Sequence, residues 1–258
     1  MTPYHGLELL STAVLMLDET LHVTYANPAA ETMLAHGRKH LIGVGIDNAI
    51  VELDNLELPI LDGSARPFIQ MIQKAGIRKQ RKARTYLRIV REIELREGDK
   101  FIAVYPAEAY SVSYSINFPH PLIGKQSFCV RLTNGSYLKE IAPARTFGFL
   151  HEADAMRQQG LIRGASIENA IVLNRDEVLN PPLRFQDEFV RHKVLDLIGD
   201  LALLGKQILG SVVADRAGHA MHTALVSRIL RDRSYWEETA LEDEPAMPAL
   251  ASAASLSV

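Results

Sequence analysis

The stretch Asp187–His219 reads D-E-F-V-R-H-K-V-L-D-L-I-G-D-L-A-L-L-G, continues through a short apolar run, and ends in A-G-H. Phe189, Val190, Val194, Leu195, Leu197, Ile198 and Leu201 put apolar side chains around most of a helical circumference, which predicts a buried helix. One polar line runs through it: His192, Asp196 and Asp200, each four residues from the next and therefore on one face. Ionised carboxylates are seldom buried without partners, because desolvating them costs several kcal/mol. A histidine and a carboxylate one turn apart suit a divalent metal, and imidazole with carboxylate oxygen suits zinc, with a third ligand from elsewhere in the chain. The plainer reading keeps His192 and Asp196 as a helix-surface pair with Asp200 solvated, and these residues alone leave both open.

Working outward, the flanking segments predict mixed α and β structure. Asn48–Leu53 reads as a strand, followed by a D-G-S turn and a helix over Ala65–Ala75. Leu87–Leu95 and Phe101–Tyr105 form a hairpin about the turn Glu97–Lys100. Ala109–Phe118 and Gln126–Leu132 are further strands, Asn134 opens a short helix, and His151–Gln159 is a second helix stopped by Gly160. Ile167–Leu173 and Gln207–Ala214 are apolar and strand-like, and Ala217–Arg231 is an amphipathic helix. The tail from Glu242 to Val258, rich in Ala, Ser and Pro, is expected to be disordered.

Bulk composition narrows the function classes. The chain has 258 residues, 47% hydrophobic and 23% charged, with a formal net charge of -3; that argues against a nucleic-acid partner, and the basic run Arg78–Lys82 is short enough to be a solvated loop. Its single cysteine, Cys129, excludes an internal disulfide and fits a reducing compartment. The first twenty residues lack the pattern of a secretion signal, and no run approaches the ~20 apolar residues of a membrane span. A cytoplasmic protein is expected.

The run R-F-Q-D-E-F-V-R-H-K-V-L-D-L-I-G-D-L, Arg184–Leu201, strongly resembles the zinc-dependent UDP-3-O-acyl-N-acetylglucosamine deacetylases. In the same order stand G-I-D-N-A-I-V-E-L from Gly45, P-I-L-D-G-S-A-R-P-F from Pro59, F-P-H-P-L-I-G-K-Q from Phe118, A-R-T-F-G-F from Ala144, V-L-N-P-P-L-R-F from Val178 and A-G-H-A from Ala217. The resemblance spans about Gly45–Trp236. It implies an α+β fold of two domains, each a sheet packed with two helices, with the active site between them. It also implies the committed step of lipid A synthesis in Gram-negative bacteria: hydrolysis of an acetamide on a UDP-linked acyl amino sugar, with Zn2+ as cofactor, by a monomer that is not inserted in a membrane.

Residue by residue, the resemblance makes His192 and Asp196 two zinc ligands. His219 corresponds to a histidine held protonated to stabilise the oxyanion and protonate the leaving amine, and Asp200 to the carboxylate that orients it. Thr146 corresponds to a hydroxyl supporting the oxyanion, and Phe147 lies beside the sugar. Lys193, about 100° around the helix from His192, corresponds to a lysine on the substrate diphosphate, and Phe118 to the segment that meets the nucleotide. Leu150, Ala153, Ala165, Ser166 and Val172 correspond to the passage for the acyl chain. His222 matches no role and is expected at the surface.

The first residues read differently. Thr12–Leu17 and Leu21–Ala26 predict a hairpin, and Asn27 caps a helix beginning at Pro28. L-L-S-T-A-V-L-M-L-D, Y-A-N-P-A-A-E and R-K-H-L-I-G resemble the opening of a PAS domain of nitrogen-regulation sensor kinases. The expected organisation is therefore a partial PAS-like segment at 1–43, a remnant of the first deacetylase domain at 44–84, its second domain at 85–241, and the tail at 242–258. His36 stands nine residues before Gly45, where the resemblance implies the third zinc ligand, and His40 fits only with a deletion. Ala35 occupies the position of the family's general-base glutamate, a loss that typically costs about 10²- to 10⁴-fold in rate. Two readings follow: a zinc deacetylase of reduced turnover, or a fusion that holds metal or nucleotide without turnover.

Overall fold

The computed structural model describes residues 15–17, 23–26, 59–78, 80, 82–151, 169–180 and 182–240, and the statements that follow concern these. Expectations that fall outside them are the helix from Pro28, the strand Asn48–Leu53, almost all of the helix His151–Gln159, and the tail Glu242–Val258. The described chain is of the α+β class. Near its start β1 (Leu15–Leu17) and β2 (Val23–Ala26) pair antiparallel as the expected hairpin. Helix α1 (Arg66–Ala75) follows the D-G-S turn, with a proline in its first turn, where the missing N–H costs nothing.

Ten further strands follow: β3 (Thr85–Ile89), β4 (Ile93–Glu97), β5 (Lys100–Tyr105), β6 (Ser111–Phe118), β7 (Gly124–Arg131), β8 (Phe147–Phe149), β9 (Ile171–Leu173), β10 (Gln207–Leu209), β11 (Ser211–Asp215) and β12 (Trp236–Ala240). Five of them form a sheet in the order β4-β5-β11-β6-β7, in which β11 runs parallel to β6 and antiparallel to β5. Along β6 the burial alternates: Val112, Tyr114 and Ile116 face the core while serines face out. Helices α2 (Glu188–Leu201) and α3 (His219–Arg231) cover the inner face, α2 against β6 and β7, α3 against β4 and β5, and each against the other. Phe189, Val190, Val194, Leu195, Leu197, Ile198 and Leu201 are all buried, as the periodicity predicts.

Two predicted strands each divide between sheets. Leu87–Leu95 breaks after Ile89; β3 joins the order β10-β3-β12, and only β4 makes the hairpin with β5. At the break the Val90 and Arg91 amides both donate to the Tyr235 carbonyl, so a turn from the far end of the chain ends the strand. Gln207–Ala214 likewise divides at Gly210, β10 pairing with β3 and β11 entering the large sheet. A Cβ at Gly210 would stand 3.0 Å from Ile89 Cγ1 and 3.2 Å from the Tyr105 carbonyl oxygen, so glycine is what lets the two sheets approach here.

The D-G-S turn is fastened to the segment that leads to α2. Arg184 donates to Asp62 Oδ2 (2.7 Å), Ser64 Oγ (3.1 Å) and the Pro143 carbonyl (2.8 Å). Gly63 has φ +79°, and a Cβ there would lie 2.1 Å from the Asn169 carbonyl oxygen, so no other residue fits the turn. Its own carbonyl accepts from the Thr146 amide at 2.8 Å. Glu188, fully buried at the start of α2, accepts from the Arg145 amide (3.0 Å), Arg145 Nε (2.9 Å), Arg145 Nη2 (3.1 Å) and the Arg184 amide (2.6 Å). The A-R-T-F and L-R-F segments are thus joined through one buried carboxylate.

Candidate metal and catalytic centre

The polar line on α2 lies where the helix meets α3 and the segment before β8. His192 and Asp196 are 8% and 7% exposed, so they are not the helix-surface pair of the plainer reading. His192 Nδ1 lies 3.0 Å from the Ala144 carbonyl, which only accepts, so Nδ1 carries the proton and Nε2 is the atom turned toward Asp196, 3.4 Å from Oδ1. A backbone carbonyl fixing the far nitrogen of an imidazole is the usual support of a metal-binding histidine. Lys193 Nζ donates to the other carboxylate oxygen, Asp196 Oδ2, at 3.0 Å and stands 5.4 Å from the centre of the Phe147 ring.

Asp200 and His219 come together as the resemblance implies. His219 is the first residue of α3, its side chain 58% exposed, with Nδ1 2.6 Å from Asp200 Oδ2 and Nε2 3.9 Å from Asp196 Oδ2. Burial pushes the Asp200 carboxyl up, but hydrogen bonds from His219 and His222 and the charge beside it outweigh that and hold it below the ordinary carboxylate range. It is therefore an anion at neutral pH, accepts only, and requires a proton on each imidazole nitrogen that approaches it.

His222 is a correction. It is 1% exposed, not at the surface, and its Nδ1 lies 2.8 Å from the same Asp200 Oδ2. The signal was available: Met221, His222, Leu225, Val226 and Ile229 form the buried face of α3, at the i, i+3, i+4, i+7 spacing. Asp200, His219 and His222 are close enough together to form a possible metal-binding group. Yet both imidazoles present protonated Nδ1 atoms to one oxygen, which makes the trio a hydrogen-bonded cluster as it stands. His192 Nε2 and the Asp196 carboxylate, by contrast, set an unprotonated nitrogen beside a carboxylate oxygen.

The aromatic residues converge on the same place. Phe147 packs edge-on against Phe118 (5.6 Å between centroids) and Phe189 (5.0 Å), and so connects Phe118 at the end of β6 with Lys193 on α2. Thr146 lies between Ala144 and β8, its carbonyl accepting from the Ile171 amide at 2.7 Å. Val172 sits on β9 opposite Gly148, half-buried, and Leu150 follows β8 directly. His36, Ala153, Ala165 and Ser166 lie outside the described residues. Sequence reasoning missed Glu188, His222 and the Ala144 carbonyl.

A family model described as UDP-3-O-acyl N-acetylglycosamine deacetylase matches residues 21–231. The chain belongs to that family. Curated UDP-3-O-acyl-N-acetylglucosamine deacetylases agree: that of Anaeromyxobacter sp. (strain Fw109-5) is 44% identical over 91% of this chain and 78% of its own length. The Solibacter usitatus (strain Ellin6076) enzyme is 49% identical over 83% of this chain and 75% of its own, and the Cellvibrio japonicus (strain Ueda107) enzyme 41% identical over 83% and 71%. The deacetylase match starts at residue 21, inside the stretch read as PAS-like, and nothing in the comparisons supports the PAS resemblance. Among the described residues no helix is long and apolar enough to cross a membrane.

Proposed function

We propose that this chain hydrolyses the N-acetyl group of UDP-3-O-acyl-N-acetylglucosamine, the committed step of lipid A synthesis in Gram-negative bacteria, with zinc held by His192, Asp196 and His36. The observation that carries this reading is the convergence on Asp196: His192 Nε2 stands 3.4 Å from one carboxylate oxygen and His219 Nε2 3.9 Å from the other. A nearly buried imidazole and carboxylate beside an exposed histidine fit a metal that substrate must reach. When bound, zinc supplies Lewis-acid polarisation of the amide carbonyl and lowers the pKa of a water towards ~7.

The remaining work falls to the chain's own side chains. His219, its Nδ1 proton fixed on the Asp200 anion, presents Nε2 to the site, where a proton there stabilises the oxyanion and then passes to the leaving amine. Thr146 supports the oxyanion. Lys193 meets the diphosphate, Phe118 the nucleotide and Phe147 the sugar. Leu150, Ala153, Ala165, Ser166 and Val172 line the acyl passage. Ala35 cannot accept a proton from water, so turnover is about 10²- to 10⁴-fold below that of a chain with glutamate at this position.

The same reading assigns the two-domain build of the family, with residues up to 84, which the family match enters at residue 21, in the first domain, 85–241 as the second, and 242–258 outside both, in a cytoplasmic monomer. The test is acetate release from UDP-3-O-acyl-N-acetylglucosamine by purified, zinc-loaded protein beside His219→Ala. Release that disappears in the variant supports the deacetylase. Release no greater than the variant's sinks it and leaves a non-enzymatic relative.

A further inference from the structure

His222 lies on the buried stripe of α3, where every neighbour in the stripe is apolar: Met221, Leu225, Val226 and Ile229. An imidazole is an expensive occupant of such a place unless its nitrogens are hydrogen-bonded. Both of them are engaged. Nδ1 lies 2.8 Å from Asp200 Oδ2, and Nε2 lies 3.1 Å from the hydroxyl of Tyr114. Tyr114 is fully buried in the middle of β6, and its ring meets the imidazole edge-on at 5.9 Å. Burial and the nearby carboxylates keep the Tyr114 hydroxyl protonated, and it donates to the Ala217 carbonyl at 2.5 Å.

We propose that His222 is a positioning residue for the deacetylation, holding the Asp200 carboxylate in the one orientation from which Oδ2 also accepts from His219 Nδ1. This rests on the deacetylase reading. His219 has a side chain 58% exposed, so packing alone does not set its ring, and its 2.6 Å bond to Asp200 has to. A carboxylate with one partner swings about its own χ angles; one shared between His219 and a histidine clamped to the sheet does not. The line Tyr114–His222–Asp200–His219 thus carries the rigidity of the five-stranded sheet to the most exposed catalytic side chain. Tyr114 acts a second time through Ala217, because holding that carbonyl fixes the backbone two residues before His219. A core histidine with no such task would be exchangeable for leucine at no cost to turnover.

The test uses full-length, zinc-loaded protein as wild type, His222→Asn, His222→Gln and His222→Leu. Asn presents its amide nitrogen near the place of Nδ1, Gln presents one near the place of Nε2, and Leu presents none. Steady-state kinetics, zinc content and melting temperature are measured on each. The His219 Nδ1 proton is followed by NMR, where a 2.6 Å bond to a carboxylate moves its signal far downfield. Expected are a fall in kcat of about 10- to 100-fold in Leu and Gln with KM and zinc unchanged, and recovery to near wild type in Asn. The Nδ1 proton should persist in Asn and exchange-broaden in Leu. Equal kcat in all four proteins, or losses that follow melting temperature with no rescue by Asn, would overturn the proposal. If wild type itself releases no acetate, the deacetylase reading fails. The NMR signal then decides positioning alone: broadening in Leu supports it, and an unchanged signal overturns it.

Discussion

Glu188 offers the sharpest test of how the site is held. Its carboxylate is fully buried and accepts four hydrogen bonds, three from Arg145 and one from the Arg184 amide. Charge-assisted bonds contribute about 1.5–3 kcal/mol each, but summing four overstates the effect because desolvation opposes them. Removing one partner of a buried pair, and so stranding Arg145, costs about 3–5 kcal/mol, and that is the expected loss for Glu188→Ala in urea denaturation at unchanged m. Burial alone would raise the Glu188 pKa, but the hydrogen bonds and charge of Arg145 and the Arg184 amide outweigh it and bring it below 4.5. A depressed carboxylate stabilises the fold above its unfolded pKa, and that stability is lost as pH falls through the folded value. The gap between wild type and Glu188→Ala should therefore be full at pH 7 and shrink as pH falls below about 4.5. Arg145 adjoins Ala144, whose carbonyl orients His192, so the variant should also bind zinc more weakly at pH 7. A loss under about 1 kcal/mol, or a gap independent of pH, would refute this account of the network.

Two further outcomes are expected. Gly63→Ala should destabilise the protein by more than about 2 kcal/mol in the same urea assay, because it adds a Cβ 2.1 Å from the Asn169 carbonyl oxygen at φ +79°. Ala35→Glu should raise kcat by about 10²- to 10⁴-fold with little change in KM, measured by acetate release, since it restores a proton acceptor and removes nothing.

How much of this was legible in the sequence differs between elements for physical reasons. Helix α2 was, since a helix apolar on nearly every side has few places to go but a core, and its one polar line then marks a site. The β4–β5 hairpin was too, because E-G-D-K is a local turn signal. The breaks at Val90 and Gly210 were not. Which sheet a strand joins depends on partners far away in sequence, such as Tyr235 for Val90, and alternation within the strand is the same in either sheet. The pairing of Asp200 with His219 followed from the family motifs, but the second histidine on the same oxygen did not. The burial of His222 follows from its place on the apolar stripe of α3, but its contact with Tyr114, on a strand more than a hundred residues earlier, does not. Glu188 was passed over for a similar reason. Acidic residues at a helix start are ordinary, and only the packed structure shows this one facing inward to Arg145.

The chemistry turns on where the metal sits, and zinc stoichiometry in three proteins tests that most directly. Wild type, Asp196→Ala and Asp200→Asn would each be loaded with zinc, dialysed and assayed for bound metal. With zinc at His192 and Asp196, wild type should hold one equivalent, Asp200→Asn should keep it while losing turnover, and Asp196→Ala should lose it. Zinc retained in Asp196→Ala but lost in Asp200→Asn would place the metal on Asp200, His219 and His222 instead, and would contradict the assignment of His219 as the proton donor.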